Sequence, residues 1–344
     1  MINILLTSAG RRSYIIDYFK QTDGIGKVYA SNSSYTIALK RADGYFISPL
    51  IYSDNYIKSI INFCQERNIK AVLSLFDIDL LVLAKNESIF RKNGIELILA
   101  DSNFIEICND KWKTFLFIKS LGLQTPKTYL TINDVKKAIT EKSLTYPIIM
   151  KPRWGMASMG IYKVENDKEL EVLTTKCKKI ILDSYLRYES SMTPNEMIIY
   201  QEIIDGKEYG LDILNDLNGN YIATFSKQKV TMRSGETDLG LTVSPYPFEN
   251  ITEKISANSK HKGILSVDCF KNANGIYIIE MNCRISGHYP LSYLAGFNYP
   301  QLLIDWLTGK PTRKDLLKFR TGLFIIKDLA PTVLCTEESN LYKG

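Results

Sequence analysis

Two short stretches, Val267-Asp268-Cys269-Phe270 and Ile278-Ile279-Glu280-Met281-Asn282-Cys283-Arg284, decide how this chain folds. The polar residues of the second stretch alternate with Met281 and Cys283. Alternate residues of a β-strand share one face, so the polar side chains point one way and the apolar ones point into a core. The pattern predicts a strand with one polar face and one apolar face buried in the core.

The segment between these stretches contains Asn274-Gly275, which predicts a hairpin turn. Such a hairpin puts Asp268 opposite Glu280 on the same face. With Asn282 they form an oxygen-rich cluster suited to Mg²⁺, which uses few carboxylates plus substrate phosphates. Arg284 can reach those phosphates with its planar guanidinium. The alternative is an ordinary half-exposed strand with solvated polar residues.

The composition is that of a globular protein. The chain has 344 residues, of which 45% are hydrophobic and 23% charged, and this length allows about two or three subdomains. A net charge of +6 permits an anionic ligand, but no basic run with interleaved aromatic residues points to nucleic acid. No stretch is long and apolar enough to cross a membrane, and Met1–Leu6 lacks the features of a signal peptide.

The cysteines and histidines argue against a disulfide framework, a zinc site and a Ser-His-Asp triad. The six cysteines, including Cys335, are scattered without C-x-x-C pairs, and several lie in apolar runs, where reduced buried thiols are usual. The two histidines, His261 and His288, are each expected to be a surface or structural residue. We therefore expect a cytoplasmic protein.

The first hundred residues alternate strand and helix patterns, which predicts an open parallel sheet with helices on both faces. Strands are predicted at 2–7, 27–30, 71–75 and 95–99, and helices up to about residue 20, at 55–67 and at 78–92. Ligands of such sheets favour the loops at the carboxyl ends of strands. Those loops carry Ser8-Ala9-Gly10-Arg11-Arg12 and Phe76-Asp77-Ile78-Asp79, although simple turns and helix caps explain them equally well.

Beyond the break at Gly122–Pro126 the pattern changes, and from Met197 onward the strands are expected to be antiparallel. The polar segment Lys229–Leu241 is predicted to be a mobile loop. Arg233 and Glu236, which lie within it, are expected to border a substrate pocket whose far wall carries Arg11, Arg12 and Asp77.

Residues 151–160, Lys-Pro-Arg-Trp-Gly-Met-Ala-Ser-Met-Gly, lie between two predicted strands. A β-loop-β connection with this glycine content offers several backbone N–H groups to a polyphosphate, and Lys151 adds a charge. It is not a Walker A loop, and a glycine-rich hairpin without function is the alternative. Further on, Gln201-Glu202-Ile203 precedes a turn and Glu208, which suits adenine and ribose contacts or simply a solvated hairpin.

The order of these motifs resembles the ATP-grasp superfamily, and within it the branch of the carbamoyl-phosphate synthase large chain and the pyrrolysine-biosynthesis ligase. The spacing of Asp268 and Glu280 matches that family's metal-ligand pair. The resemblance covers the chain from Ile4 to about Thr308. It implies an α/β and α+β fold, in which a Rossmann-like preATP-grasp domain precedes an ATP-grasp domain of two α+β subdomains. The implied boundaries are 1–107 for the first domain, 108–310 for the second (lid subdomain about 125–203, metal-binding subdomain about 204–310) and 311–344 for a C-terminal extension.

The resemblance also implies a role for each motif residue. Lys111 and Lys151 would contact ATP phosphates, the loop with Gly155, Ser158 and Gly160 would close over them, Glu202 and Ile203 would meet the adenine, and Glu208 the ribose. Asp268, Glu280 and Asn282 would bind Mg²⁺, as two ions, with Mn²⁺ as a substitute. Arg284, Lys151 and Arg233 would act in catalysis. The first metal ligand is Asp where many relatives have Glu or Gln, which shortens its reach.

The implied activity is an ATP-dependent, ADP-forming ligase that joins a small carboxylate or amino-acid-like substrate to an amine or a thiol through an acyl phosphate. The expected partners are these small molecules, not nucleic acid or membrane, and a homodimer is compatible with this interpretation. A single ATP-grasp unit argues against carbamoyl phosphate synthesis by this chain alone. Two alternatives stay open: a biotin-independent carboxylase or acyl-phosphate synthase that uses bicarbonate or a small acid, and a catalytically silent ATP-binding regulatory subunit.

Overall fold

The N-terminal part of the chain folds around a parallel five-stranded sheet, as predicted. The computed structural model describes residues 1–155, 158–233, 235–328 and 330–333. The strand order is β3-β2-β1-β4-β5. The strands are β1 (Ile2–Thr7), β2 (Ile25–Asn32), β3 (Gly44–Ile47), β4 (Ile69–Ser74) and β5 (Glu96–Leu97). The helices of this part are α1 (Ser13–Lys20), α2 (Ile37–Arg41), α3 (Tyr56–Glu66), α4 (Asp77–Lys85), α5 (Glu87–Lys92), α6 (Ser102–Asn109) and α7 (Lys111–Ser120).

Both faces of this sheet are buried. Leu5 packs in one hydrophobic core, whereas its neighbours Ile4 and Leu6 pack in the other, as the alternation of a strand requires. The single helix predicted over 78–92 is divided into α4 and α5 at Asn86, whose side-chain amide donates to the Val82 carbonyl at 2.8 Å. An Asn side chain that bonds to nearby backbone competes with the helical ladder, which explains the break.

The middle of the chain forms a small four-stranded sheet with its own core. Its order is β6-β9-β7-β8, and its pairings are antiparallel. Its strands are β6 (Thr128–Tyr129), β7 (Ile148–Pro152), β8 (Tyr162–Val164) and β9 (Ile198–Glu202), and its helices are α8 (Ile132–Thr140), α9 (Asp167–Leu182) and α10 (Arg187–Ser190). These elements lie within the range, about 125–203, that was predicted to form a lid subdomain.

The third layer is an antiparallel six-stranded sheet in the order β14-β13-β10-β11-β12-β15. Its strands are β10 (Lys207–Asn215), β11 (Tyr221–Arg233), β12 (Glu236–Val243), β13 (Gly263–Asn272), β14 (Gly275–Asn282) and β15 (Phe324–Ile326). Its helices are α11 (Glu249–Ser259), α12 (Tyr289–Leu294) and α13 (Tyr299–Leu307), followed by a 3₁₀ turn, Lys314–Leu317. Strand β15 comes from the segment expected to be an extension, so that segment completes this sheet.

Apart from Ser234, which lies outside the described residues, the segment Lys229–Leu241 is not the mobile loop that its polar sequence predicted. Strand β11 continues through it to Arg233, and β12 returns antiparallel from Glu236. Backbone pairing with a neighbouring strand supplies the hydrogen bonds here, so polar side chains do not prevent a strand. This strand pairing fixes the position of Lys229, which lies on β11 close to β10 and β13.

The described residues contain no helix that combines the length and apolar character needed to cross a bilayer. The cysteines at 64, 108, 177, 269 and 283 are free and buried, as expected, while Cys335 lies outside the described residues.

Candidate functional site

A cleft with a volume of about 790 Å³ opens between the three sheets. Its wall is built from the carboxyl ends of β1, β4 and β7, from the β11–β12 hairpin and from the polar face of β13–β14. A volume of this size suits a small ligand or cofactor. The predicted site residues that line it are Lys111, Lys151, Gly155, Ser158, Glu208, Asp268, Glu280, Asn282 and Arg284.

The β13–β14 hairpin has the predicted register. Asp268 pairs directly with Glu280 across the two strands, and the turn closes at Gly275. Met281 and Cys283 are buried on the opposite face. Pairing across a hairpin therefore brings two carboxylates together on the cleft wall, although they are well separated along the chain.

Asp268 is a carboxylate with one oxygen that makes no hydrogen bond to the described residues. Its Oδ2 accepts from Lys229 Nζ at 2.9 Å, whereas its Oδ1 is buried, lies 3.6 Å from His288 Nε2 and has no hydrogen-bond partner among the described residues. Burial alone would raise the pKa of Asp268, but Lys229 and His288 together lower it below its ordinary value. Asp268 is therefore ionised at neutral pH.

The residues present fit a hard cation such as Mg²⁺. No three His, Cys, Asp or Glu side chains in the described ranges lie together as a complete metal site. A cation here would instead use the oxygens of Asp268, Glu280 and Asn282 together with those of a bound ligand, which is how Mg²⁺ is commonly held beside phosphates. The Oδ1 of Asp268, which makes no hydrogen bond within the described part of the chain, agrees with that chemistry.

Lys111 and Lys151, in addition to Lys229, bring positive charge to the same cleft. Lys111 begins α7, and its ammonium donates to the Gly155 carbonyl at 2.6 Å and lies 3.9 Å from Glu280 Oε1. Lys151, near the end of β7, is 6% exposed. Burial and the neighbouring Lys111 lower the pKa of Lys151 to about 8. An anionic ligand between the two lysines would relieve their mutual repulsion.

The loop after Lys151 joins β7 to β8, the β-loop-β connection that was predicted. Met156 and Ala157, within this loop, lie outside the described residues. Gly155 has φ +138°, and a Cβ there would lie 3.1 Å from Leu186, so the position favours glycine. Gly160, at φ +68°, packs against Pro152 and does not line the cleft.

Glu208 lies on β10, where its Oε1 accepts from Lys229 Nζ at 2.8 Å. Glu202 and Ile203 do not line the cleft. Glu202 instead accepts from the Lys127 backbone N–H at 2.8 Å, and Ile203 is 39% exposed. The structure therefore brings Glu208 to the cleft wall but not the two residues to which adenine contacts were assigned.

Arg284 is held in place by Asp77. Its Nε and Nη2 donate to Asp77 Oδ2 at 2.8 and 2.6 Å. Burial alone would lower the pKa of Arg284, but Asp77 raises it. Asp77 is thus a partner of Arg284 and does not belong to the lining of the large cleft, on whose far wall it was expected. Arg233 also lies outside that lining: it pairs with Asp238 at 2.6 Å and is half exposed.

Arg11 and Arg12, expected on the far wall of the substrate pocket, line the cleft. Two other residues of the cleft were missed or underrated from the sequence: Lys229 and His288. Lys229 bridges Glu208 and Asp268. His288 is buried, with Ser286 Oγ 2.8 Å from Nδ1 and Ser266 Oγ 3.1 Å from Nε2, and burial lowers its pKa. The sequence around Lys229 carries no local signal for this role, because the carboxylates that it bridges lie on β10 and β13.

Comparisons with known proteins agree with this architecture. Residues 4–98 match the family model of the PylC-like N-terminal domain, and residues 108–288 match that of the ATP-grasp domain. The carbamoyl phosphate synthase large chain of Thermoanaerobacter sp. (strain X514) is 22% identical over 317 residues, which cover 88% of this chain. This chain spans only 27% of the length of that relative.

Two solved structures share the fold. A biotin carboxylase from Campylobacter jejuni, in complex with β,γ-ATP, superposes with a TM-score of 0.71 at 18% identity, covering 93% of this chain and 73% of that one. An L-amino acid ligase from Bacillus licheniformis superposes with a TM-score of 0.69 at 20% identity, covering 89% and 75%. At these identities the matches establish the fold.

Proposed function

This chain belongs to the ATP-grasp family, and we propose that it is an ADP-forming ligase that joins a small carboxylate substrate to an amine or a thiol. In the proposed reaction a carboxylate oxygen of the substrate attacks the γ-phosphorus of ATP, and the bond to the β–γ bridging oxygen breaks to release ADP. The nucleophile then attacks the acyl carbon, and inorganic phosphate leaves. This scheme needs no side-chain nucleophile.

The chain's own residues would bind and orient the nucleotide. Lys111 and Lys151 would hold its phosphates, and the loop that contains Gly155, Ser158 and Gly160 would close over them. Glu208, at the cleft wall, would contact the ribose. Positioning and charge compensation are the main demands of phosphoryl transfer. A loop that covers the site would also exclude water from a labile acyl phosphate.

Asp268, Glu280 and Asn282 would hold Mg²⁺, as two ions in our proposal. When bound, the metal supplies charge neutralisation on the β- and γ-phosphates. Arg284, fixed by its two hydrogen bonds to Asp77, would face the transferred phosphate from the end of the same strand. A guanidinium that is fixed in advance loses little freedom when it meets a phosphate.

The observation that carries this proposal is the Asp268–Glu280 pair, placed on the wall of a cleft that also contains two buried lysines. An ordinary half-exposed strand does not explain a buried carboxylate oxygen without a hydrogen-bond partner among the residues described. Buried polar atoms are normally satisfied, so a free one points to a ligand.

The direct test is ADP release by the purified full chain with ATP and MgCl₂. Pools of amino acids and of small organic acids are supplied with an amine or a thiol, with and without bicarbonate, and chelation of Mg²⁺ serves as the negative control. Release that depends on both an organic acid and a nucleophile supports the ligase. Release that needs bicarbonate but no organic acid would favour the carboxylase.

The third alternative, a silent regulatory subunit, predicts that the chain binds Mg·ATP but releases no ADP with any of the substrate pools. The acidic pair, the two lysines and Arg284 together argue against it, because a protein that only binds nucleotide does not need a complete phosphoryl-transfer set. Absence of Mg·ATP binding would remove the ligase and the regulatory subunit together.

A further inference from the structure

The half of the cleft beside the N-terminal sheet is not used by the nucleotide assignment. It is formed by the turn between β1 and α1, by the carboxyl end of β4, by Glu236 on the β11–β12 hairpin and by Gly287. This half is continuous with the phosphate half, because Arg284 lines the same cleft. It is where a second substrate can approach the transferred phosphate.

Arg12 is the fixed cation of this half. Its Nη1 donates to the Leu75 carbonyl at 2.9 Å and to the Ile285 carbonyl at 3.1 Å. These two bonds tie the turn to the end of β4 and to the chain beyond β14. Within the described part of the chain, the Nε and Nη2 groups of Arg12 make no hydrogen bond, and the residue lines the cleft. Unused, coplanar donors on an immobilised guanidinium suit a carboxylate.

The charge of Arg12 is only partly compensated by the protein, through Asp77 and Glu236, whose charges raise its pKa. In the ranges described, Arg12 forms no ion pair, whereas Arg284 is paired with Asp77. Glu236 is held by Lys327 at 3.0 Å, and the same ammonium donates to the Gly287 carbonyl at 3.1 Å. Arg11 adds a further cation to the wall. The cationic side chains around this half therefore exceed the acidic ones, which favours an anionic group there and disfavours a cationic one.

One further observation agrees with an anion beside Arg12. Burial and the proximity of Arg284 lower the pKa of Arg12 more than Asp77 and Glu236 raise it, and an anion would offset that lowering.

We propose that Arg12 binds the carboxylate of the acceptor substrate and presents it to the γ-phosphate. The inference rests on the proposed ligase reaction. The bond from Arg12 to the Ile285 carbonyl places this guanidinium beside the residue that follows Arg284. A carboxylate on Arg12 thus lies next to the end of β14, where the phosphate is transferred. The chain thereby selects an anionic acceptor through its first domain, not through the ATP-grasp sheets.

The test uses malonate as a carboxylate probe that lacks a reaction partner when the protein carries Mg·ADP. Calorimetric titration of the Mg·ADP-loaded full chain should show one malonate site. Arg12→Gln removes the charge and the planar guanidinium, so malonate should bind about tenfold more weakly or worse, as expected for a lost charged hydrogen bond. Arg91→Gln removes the same charge from a helix outside the cleft, where Arg91 pairs with Glu87, and should change the affinity less than twofold.

Arg12→Lys keeps the charge and one donor to the backbone carbonyls, so it decides the matter if Arg12→Gln does not fold. A loss of malonate affinity of threefold or more in Arg12→Lys supports the proposal, and a smaller loss overturns it. Absence of malonate binding to the loaded wild-type chain also overturns it. Mg·ADP affinity separates the two hypotheses: failure to bind Mg·ADP defeats the ligase assignment, whereas normal Mg·ADP binding with Arg12-independent malonate binding defeats this inference alone.

Discussion

The affinity for Mg-nucleotide should fall as pH rises through 8, because of Lys151. Burial and Lys111 lower the pKa of Lys151 to about 8 in the free protein. Phosphates beside this lysine would favour its ammonium form, so binding raises the pKa and takes up a proton. With a free-protein pKa of about 8, the protonated fraction decreases roughly tenfold between pH 7 and pH 9, and the dissociation constant should increase by the same factor.

The assay is calorimetric titration with Mg²⁺ and the non-hydrolysable analogue AMP-PNP at pH 7, 8 and 9. Repeating it at pH 8 in two buffers of different ionisation enthalpy measures the proton uptake, which should be roughly half a proton per nucleotide. Lys151→Met is the matched control, because it should bind more weakly but with a flat pH profile. A wild-type change below twofold, or an equal pH dependence in Lys151→Met, would refute the reasoning.

Three further substitutions test the buried ion pair, the core and the loop between β7 and β8. Lys227→Met should destabilise the chain by about 3–5 kcal/mol in urea unfolding, because it leaves the fully buried Asp212 unpaired; Lys136→Met, which breaks a surface pair, should leave the unfolding midpoint unchanged. Met281→Asp should give aggregated or unfolded protein, seen as loss from the soluble fraction, because it buries an unpaired charge. Gly155→Ala should weaken AMP-PNP binding with little change in thermal stability, because φ +138° is strained for any residue with a Cβ. The strain would distort the loop between β7 and β8, which is proposed to cover the phosphates.

The sequence was sufficient to predict side-chain faces and strand pairing wherever the interactions that determine them are local. The alternation around Met281 and the Asn274-Gly275 turn determine which residues share a face and which strands pair, so the Asp268–Glu280 register followed from a short stretch. The parallel N-terminal sheet followed for a similar reason, because strands that alternate with helices leave few other arrangements.

What the sequence could not show depends on neighbours far away along the chain. Lys229 looked like a loop residue because the carboxylates that bury it come from β10 and β13. Arg12 was expected on the pocket wall, but the carbonyls that fix its guanidinium, those of Leu75 and Ile285, come from distant segments. Arg233 looked equally suitable as a ligand for an anion, yet its neighbour Asp238 on the same hairpin occupies its guanidinium.

The central claim, that the β13–β14 hairpin holds the metal for phosphoryl transfer, is tested most directly by Glu280→Gln. The substitution keeps shape but removes one negative charge. Glu280 is a quarter exposed and its ion-pair partner, Lys111 Nζ, is 3.9 Å away, so stability should change by about 1 kcal/mol or less. Substrate-dependent ADP release, measured with the most active acid pool, should fall by about a hundredfold or more. Near-wild-type release by a folded Glu280→Gln protein would contradict the metal assignment, and with it the ligase.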